Sequence, residues 1–176
     1  DTLLAEKLTK IAKSDHRSIR SLEQGNFILN ARYYSEPVSV AGREEWHKKA
    51  LDLLNGLDIV FVDPDNGMLV KSVGKRSAKS IKYAFYEEVA DYIGQKQSVL
   101  IYNHRSRKQE DAYFRELSKK LGEITGVPES RILKITFPKC SVRDYLAVPA
   151  SDVHRENIKA AFVSMDQGIW GKTGML

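Results

Sequence analysis

Apolar residues recur along this chain in two rhythms, a helical spacing and short unbroken runs, and the two alternate. Leu3, Leu4, Leu8, Ile11 and Ala12 share one helical face between Lys and Glu, which predicts an amphipathic helix over residues 1–13. Ser14-Asp15-His16 stops it. Ser18 to Leu22 reads as a short strand with Glu23 just past its end, and Gly25-Asn26 is a turn signal. Phe27 to Tyr34 mixes apolar and aromatic residues and reads as including another strand, broken by Pro37. A second helix opens near Ala41, with Trp46, Ala50, Leu53 and Leu54 on one face and Gly56 as its stop.

The clearest segment follows. Leu57-Asp58-Ile59-Val60-Phe61-Val62 is a β-branched run of the kind buried on both faces of a parallel sheet, and it ends at the dense turn signal Asp63-Pro64-Asp65-Asn66-Gly67. A basic stretch from Lys71 to Lys82 then reads as a loop leading into a helix at Ile81 to Ile93. Ser98 to Tyr102 is a second buried-type strand, closed by Asn103-His104-Arg105. Glu110 to Leu121 is a charged amphipathic helix stopped near Gly122 and Gly126. Arg131 to Phe137 and Asp144 to Pro149 flank the turn Pro138-Lys139-Cys140-Ser141 and predict an antiparallel hairpin. Ala150-Ser151-Asp152 caps a last helix, His154 to Met165, and the tail from Asp166 is Gly-rich.

Alternating strands and helices predict an α/β fold: a Rossmann-like three-layer sandwich with a mostly parallel sheet and a C-terminal antiparallel hairpin. The expected organisation is one domain over residues 1–165 and a loose tail over 166–176. The chain opens directly in a helical pattern without Met, and we expect a further strand upstream of it.

Composition narrows the setting. The 176 residues, 42% of them hydrophobic, suit one domain with a core. One cysteine, Cys140, forms no internal disulfide, which points to a reducing, cytoplasmic compartment. One cysteine with four scattered histidines argues against a structural zinc site. No apolar run approaches the roughly 20 residues that cross a bilayer. The net charge of +5 favours acidic partners, nucleic acid or nucleotide, and is equally that of a Lys-rich solvated surface.

In α/β sheets the ligand crevice lies at the carboxyl ends of the strands, which places Asp63 to Gly67 and Asn103 to Arg105 on one rim. Pro64 fixes the direction in which the backbone leaves the sheet, and Gly67 lets the turn fold tightly. Asp63, Asp65 and Asn66 are therefore the leading catalytic candidates, with His104 beside them as base or phosphate contact. Two adjacent carboxylates also suit Mg²⁺, so Asp63 and Asp65 are the metal candidates of an alternative nuclease or phosphotransfer reading. Asp-Asn-Gly is equally plain turn chemistry. Lys75, Arg76, Asn103, Arg105, Lys139 and Arg143 are candidates for substrate contact, and the basic run for steering a polyanion. A charge run is also an ordinary solvated face. Glu23, past a predicted strand, is a candidate acceptor for ribose hydroxyls.

Two resemblances attach to these residues. The segment Asp58 to Gly67 and the strand Ser98 to His104 resemble "D-(I/L)-V-F-x-D-P-D-N-G" and "S-V-L-I-Y-x-H" segments of uncharacterised bacterial and phage proteins. More distantly, the order of Ile59 to Val62, Asp63-Pro64, helix, strand at Ser98 and hairpin from Arg131 to Pro149 is similar to Rossmann-like S-adenosylmethionine-dependent methyltransferases that act on adenine N6. That likeness implies S-adenosylmethionine as cofactor, Asp63 as acceptor for the target amino group, and Glu23 and Pro64 beside the cofactor. Asp65-Asn66 stands where that family carries Pro-Tyr or Pro-Phe, whose ring stacks on the base. The chain contains no Gly-x-Gly loop. A third reading is a non-catalytic nucleic-acid-binding module.

Overall fold

The computed structural model describes residues 2–14, 18–25, 27–104, 110–137 and 142–167. The chain divides into two compact units, Asp1–Glu36 and Pro37–Leu176. In the first, α1 spans Thr2–Ala12 and α2 spans Ile19–Gln24. The strand expected at Ser18 to Leu22 is thus a helix. Ser18 is the reason, since its side chain accepts from the Ser21 N–H and caps the first turn. No strand forms between Phe27 and Tyr34.

The second unit carries α3 (Arg43–Leu54), β1 (Ile59–Val62), a 3-10 turn at Ala78–Lys82, α4 (Tyr86–Gly94), β2 (Ser98–His104), α5 (Glu110–Thr125), β3 (Leu133–Phe137), β4 (Arg143–Val148) and α6 (Asp152–Gln167). The helix expected from Ile81 begins only at Tyr86. Residues 82–84 are instead drawn alongside the loop after β1, where Asn66 N–H donates to Lys82 O and Leu69 N–H to Ala84 O.

The strands order as β1-β2-β4-β3. β1 and β2 are parallel, with Val60 opposite Val99, and α4 is the crossover between them. β4 returns antiparallel to β2 and β3 pairs antiparallel with β4. The fold is therefore α/β with a mixed sheet. The expected mostly parallel sheet is corrected, because the second hairpin strand inserts between β2 and β3 and makes two of the three pairings antiparallel.

Strand alternation splits the core in two. Val60, Val99, Ile101, Leu146 and Val148 face α4 and α5, whose Val89, Tyr92, Leu117 and Leu121 bury against them. On the other face, Ile158 and Phe162 of α6 cover Ile135 and Ala147. That cover does not extend over β1. Ile59 is 43% and Phe61 52% exposed, so β1 is not buried on both faces as its composition predicted. Its outer position in the sheet is the physical reason.

Buried polar groups tie the helices to this frame. Gln97 donates through Nε2 to Leu54 O and Leu57 O, clamping the end of α3 to the start of β2. Ser98, fully buried, accepts from Ala150 N–H through Oγ and meets His154 Nδ1 at 2.8 Å, which fixes the entry of α6. No described helix is long and apolar enough to cross a membrane.

Candidate functional site

The loop after β1 is held from both sides. Gly67 O accepts from Ala84 N–H, and Met68 N–H donates to Asn103 Oδ1 at 3.1 Å. Asn103 in turn donates through Nδ2 to the Tyr113 hydroxyl at 3.0 Å. Gly67 has φ +96° and lies so close to Asn103 that a Cβ there would stand 2.2 Å from Oδ1. Glycine is required at this position for space and for backbone conformation together. Asn103, a candidate for substrate contact, is fully buried, and both ends of its amide hold the frame that sets the loop.

Asp63 leaves the end of β1. Continuing the register by one residue puts it level with Tyr102 of β2, which pairs with Tyr145 of β4. Its carboxyl is raised above the ordinary carboxylate range, first by partial burial and then by the charge of Asp65. Tyr145 feels the same neighbourhood. Burial raises its hydroxyl most, Asp63 and Tyr102 add to this, and Arg143 opposes it. Asp63 therefore lies on the sheet face that carries these rings, and it is exposed to solvent there.

The rings form a continuous set. Tyr145 lies near-parallel to Phe61, with centroids 6.3 Å apart and planes at 23°. Tyr102 and Phe137 meet Tyr145 edge-on at 5.8 and 5.6 Å. Further along the same face, His104 stands opposite Arg143 in the register, and Arg143 Nε donates to the Tyr102 hydroxyl at 3.3 Å. Strand parity puts 61, 102, 104, 143, 145 and 137 on one face. His104 and Arg143 thus share this face with Asp63 but lie farther along the strands.

Asp65 is exposed and faces Lys82 Nζ at 3.7 Å. Asn66 is fixed by its main chain to Lys82 O, and Pro64 is half-buried at the exit from β1. Among the described residues no group of three or more His, Cys, Asp or Glu side chains is placed to hold a metal. Lys82 supplies beside Asp65 a positive charge of the kind a cation would bring.

The basic run is largely neutralised. Lys71 faces Glu116 at 3.6 Å, Lys75 donates to Glu87 at 2.8 Å, and Lys82 faces Asp65. Arg76 and Lys79 are exposed. Glu23 does not end a strand. It lies on α2, where its carboxylate accepts from the Ser35 hydroxyl. Arg105 and Lys139 lie outside the described residues.

The sequence reading missed the aromatic set. Its signal was present as a period of two: Phe61 two residues before Asp63, Tyr102 two before His104, Tyr145 two after Arg143. Each pair shares a face on a strand. The reading also missed the opposite end of the sheet, where Asp58, Ile59, Val153, His154, Asn157 and Ile158 line an open groove of about 370 Å³.

No model of a known protein family, no curated protein and no solved structure matches this chain.

Proposed function

We propose that this chain is a methyltransferase-like enzyme acting on nucleic acid or a nucleotide, with Asp63 accepting a hydrogen bond from the amino group of the target base. The observation that carries the reading is the placement of Asp63: exposed at the end of β1, where Pro64 directs the chain out of the sheet, and level with a row of aromatic rings. The order of elements adds support. A strand ending in Asp-Pro, a helix, a parallel strand, a helix and an antiparallel hairpin occur in the order that the sequence likeness to that family led us to expect, in a mixed sheet.

S-adenosylmethionine is the cofactor this reading implies, and the described residues do not fit it. The carboxylate of Glu23 is engaged by Ser35 on a helix, Pro64 has no N–H to offer, and the chain has no Gly-x-Gly turn. The residues named here therefore provide no site for the methyl donor, and the proposed role of Asp63 concerns the amino-bearing base alone. Isothermal titration of the chain with S-adenosylmethionine, followed by methyl transfer to adenine-containing DNA and RNA, tests the proposal. Binding, together with transfer lost in Asp63→Ala, supports it. Absence of both removes it.

The Mg²⁺ reading draws on one specific observation, the mutual repulsion of Asp63 and Asp65. A metal-dependent nuclease predicts cleavage that stops when the divalent ion is chelated. Lys82 beside Asp65 weighs against it, since an ammonium and a cation would compete for one carboxylate.

A further inference from the structure

We infer that the outer edge of β1 is a docking site for an extended segment of a partner protein, with apolar residues at alternate positions and a Lys or Arg at each end, which joins the sheet as a further strand beside β1. The inference goes beyond the base-holding reading of Asp63, since it uses main-chain groups and charge and involves no nucleic acid. Asp58 O accepts from Ser98 N–H, and in this parallel register Val60 and Val62 also turn their main-chain groups toward β2. The N–H and C=O groups of Ile59 and Phe61 therefore point away from the sheet, and among the described residues none bonds to them. The two edges of the sheet are unlike. β3, at the other edge, carries Lys134, a charge of the kind that discourages edge pairing. β1 reads Ile-Val-Phe-Val, with no charge and no proline. Ile59 and Phe61 also leave their side chains exposed on one face, and the exposed Val153 of α6 extends that apolar surface past Ile59. A strand laid along this edge gains main-chain hydrogen bonds and apolar cover together.

Charge decides the occupant. Exposed carboxylates bracket the strand, Asp58 just before it and Asp63 just after it. Among the described residues Asp58 faces His154 Nε2 at 3.8 Å and has no Lys or Arg partner, and no Lys or Arg pairs with Asp63. A segment with a cation at each end matches both carboxylates. A second copy of this chain does not. The self-pairing that joins the outward groups of Ile59 and Phe61 is antiparallel about Val60. It brings Asp58 of each copy within one residue of facing Asp63 of the other, so like charges meet at both ends. The same two carboxylates thus keep copies apart and admit a basic strand.

The test is fluorescence anisotropy of the full chain with the labelled peptide Lys-Val-Thr-Val-Thr-Val-Lys and with Glu-Val-Thr-Val-Thr-Val-Glu. The basic peptide is expected to bind at least about fivefold tighter than the acidic one. Two further forms of the basic peptide are N-methylated on the main chain, one at every valine and one at every threonine. Only one edge of an added strand faces β1, so one form is expected to lose at least about tenfold and the other less than about twofold. Ile59→Lys places on this edge the charge that β3 already carries, and is expected to lose about tenfold. Equal binding of the basic and acidic peptides overturns the inference, as does binding of neither, or equal loss in the two methylated forms. These peptide comparisons use the wild-type chain, so they decide the matter even where Ile59→Lys fails to fold. A dimer in sedimentation equilibrium that Ile59→Lys dissociates makes a second copy the occupant and overturns it too. None of these outcomes touches the base-holding reading, which is tested with nucleic acid alone.

Discussion

The contact between Gly67 and Asn103 sets where the Asp63 loop lies, and its energetics follow from the geometry. In Asn103→Ala, the Met68 N–H loses its acceptor at a site where Met68 is 1% and Asn103 0% exposed. An orphaned buried donor costs about 1–3 kcal/mol, and the small cavity adds about 1 kcal/mol more. Gly67→Ala acts through the same contact by another route. A residue with a Cβ at φ +96° costs about 1–2 kcal/mol in backbone conformation. The new Cβ also meets Asn103 Oδ1 at 2.2 Å and Asn103 Cα at 2.9 Å. Turning the amide away relieves the first overlap and orphans Met68 N–H, so that part of the cost is the same in both variants. The sum for Gly67→Ala is about 2–5 kcal/mol. In the double variant the lost hydrogen bond counts once, so the two effects fall short of additive by about 1–3 kcal/mol. Urea unfolding of the four proteins, followed by circular dichroism and checked for coincident transitions, measures this cycle. Additivity within about 0.5 kcal/mol, or Asn103→Ala costing less than that, would refute the reasoning.

Two further outcomes follow from the same frame. Arg43 is a buried cation that grips Glu88 at 2.6 and 2.9 Å, donates to Ser80 O and Tyr83 O, and lies 3.6 Å over the Phe85 ring. Arg43→Met strands the Glu88 carboxylate and should cost about 3–5 kcal/mol by denaturant unfolding, with part recovered in Arg43→Met/Glu88→Gln because Gln still accepts from Phe85 N–H; no loss would show that the pair is not buried as described. Asp63 carries a raised carboxyl, so its ionised form is disfavoured in the folded state. The stability penalty is full above the raised folded pKa and absent below the ordinary value of 3.8. Asp63→Asn should therefore be slightly more stable than wild type at neutral pH, with the difference closing as the pH falls from the raised folded value to 3.8; a destabilised variant at neutral pH would contradict the assignment.

The strands and helices of the second unit were legible because periodicity reports burial, and these elements are buried on well-defined faces. Ile59 to Val62, Ser98 to His104 and the hairpin arms lie close to where their patterns put them. What periodicity does not encode is which strands become neighbours. The insertion of β4 between β2 and β3 follows from pairing across the sheet, and no local pattern distinguishes Leu146 beside Ile101 from a hairpin at a sheet edge. Ser18 to Leu22 misled because a capping serine and an apolar pair fit a strand and a short helix equally. Of the site, Asp63 was visible through the abrupt end of an apolar run. The buried role of Asn103 was not, since an asparagine at a strand end reads as a rim residue until its Oδ1 is seen to hold Met68 N–H. The neutralising partners of the basic run, Glu87 and Glu116, come from α4 and α5 and are invisible in the run itself.

The claim on which the rest stands is that Asp63 receives an amino group on a base. The direct measurement is the affinity of wild type and Asp63→Ala for two matched strands, one carrying adenine and the other purine, which lacks the exocyclic amine. The account predicts that wild type prefers the adenine strand by about tenfold, as expected for one hydrogen bond to a charged acceptor, and that Asp63→Ala, which has no acceptor there, loses that preference. Equal affinity of wild type for the two strands, or a preference that survives in Asp63→Ala, would contradict it.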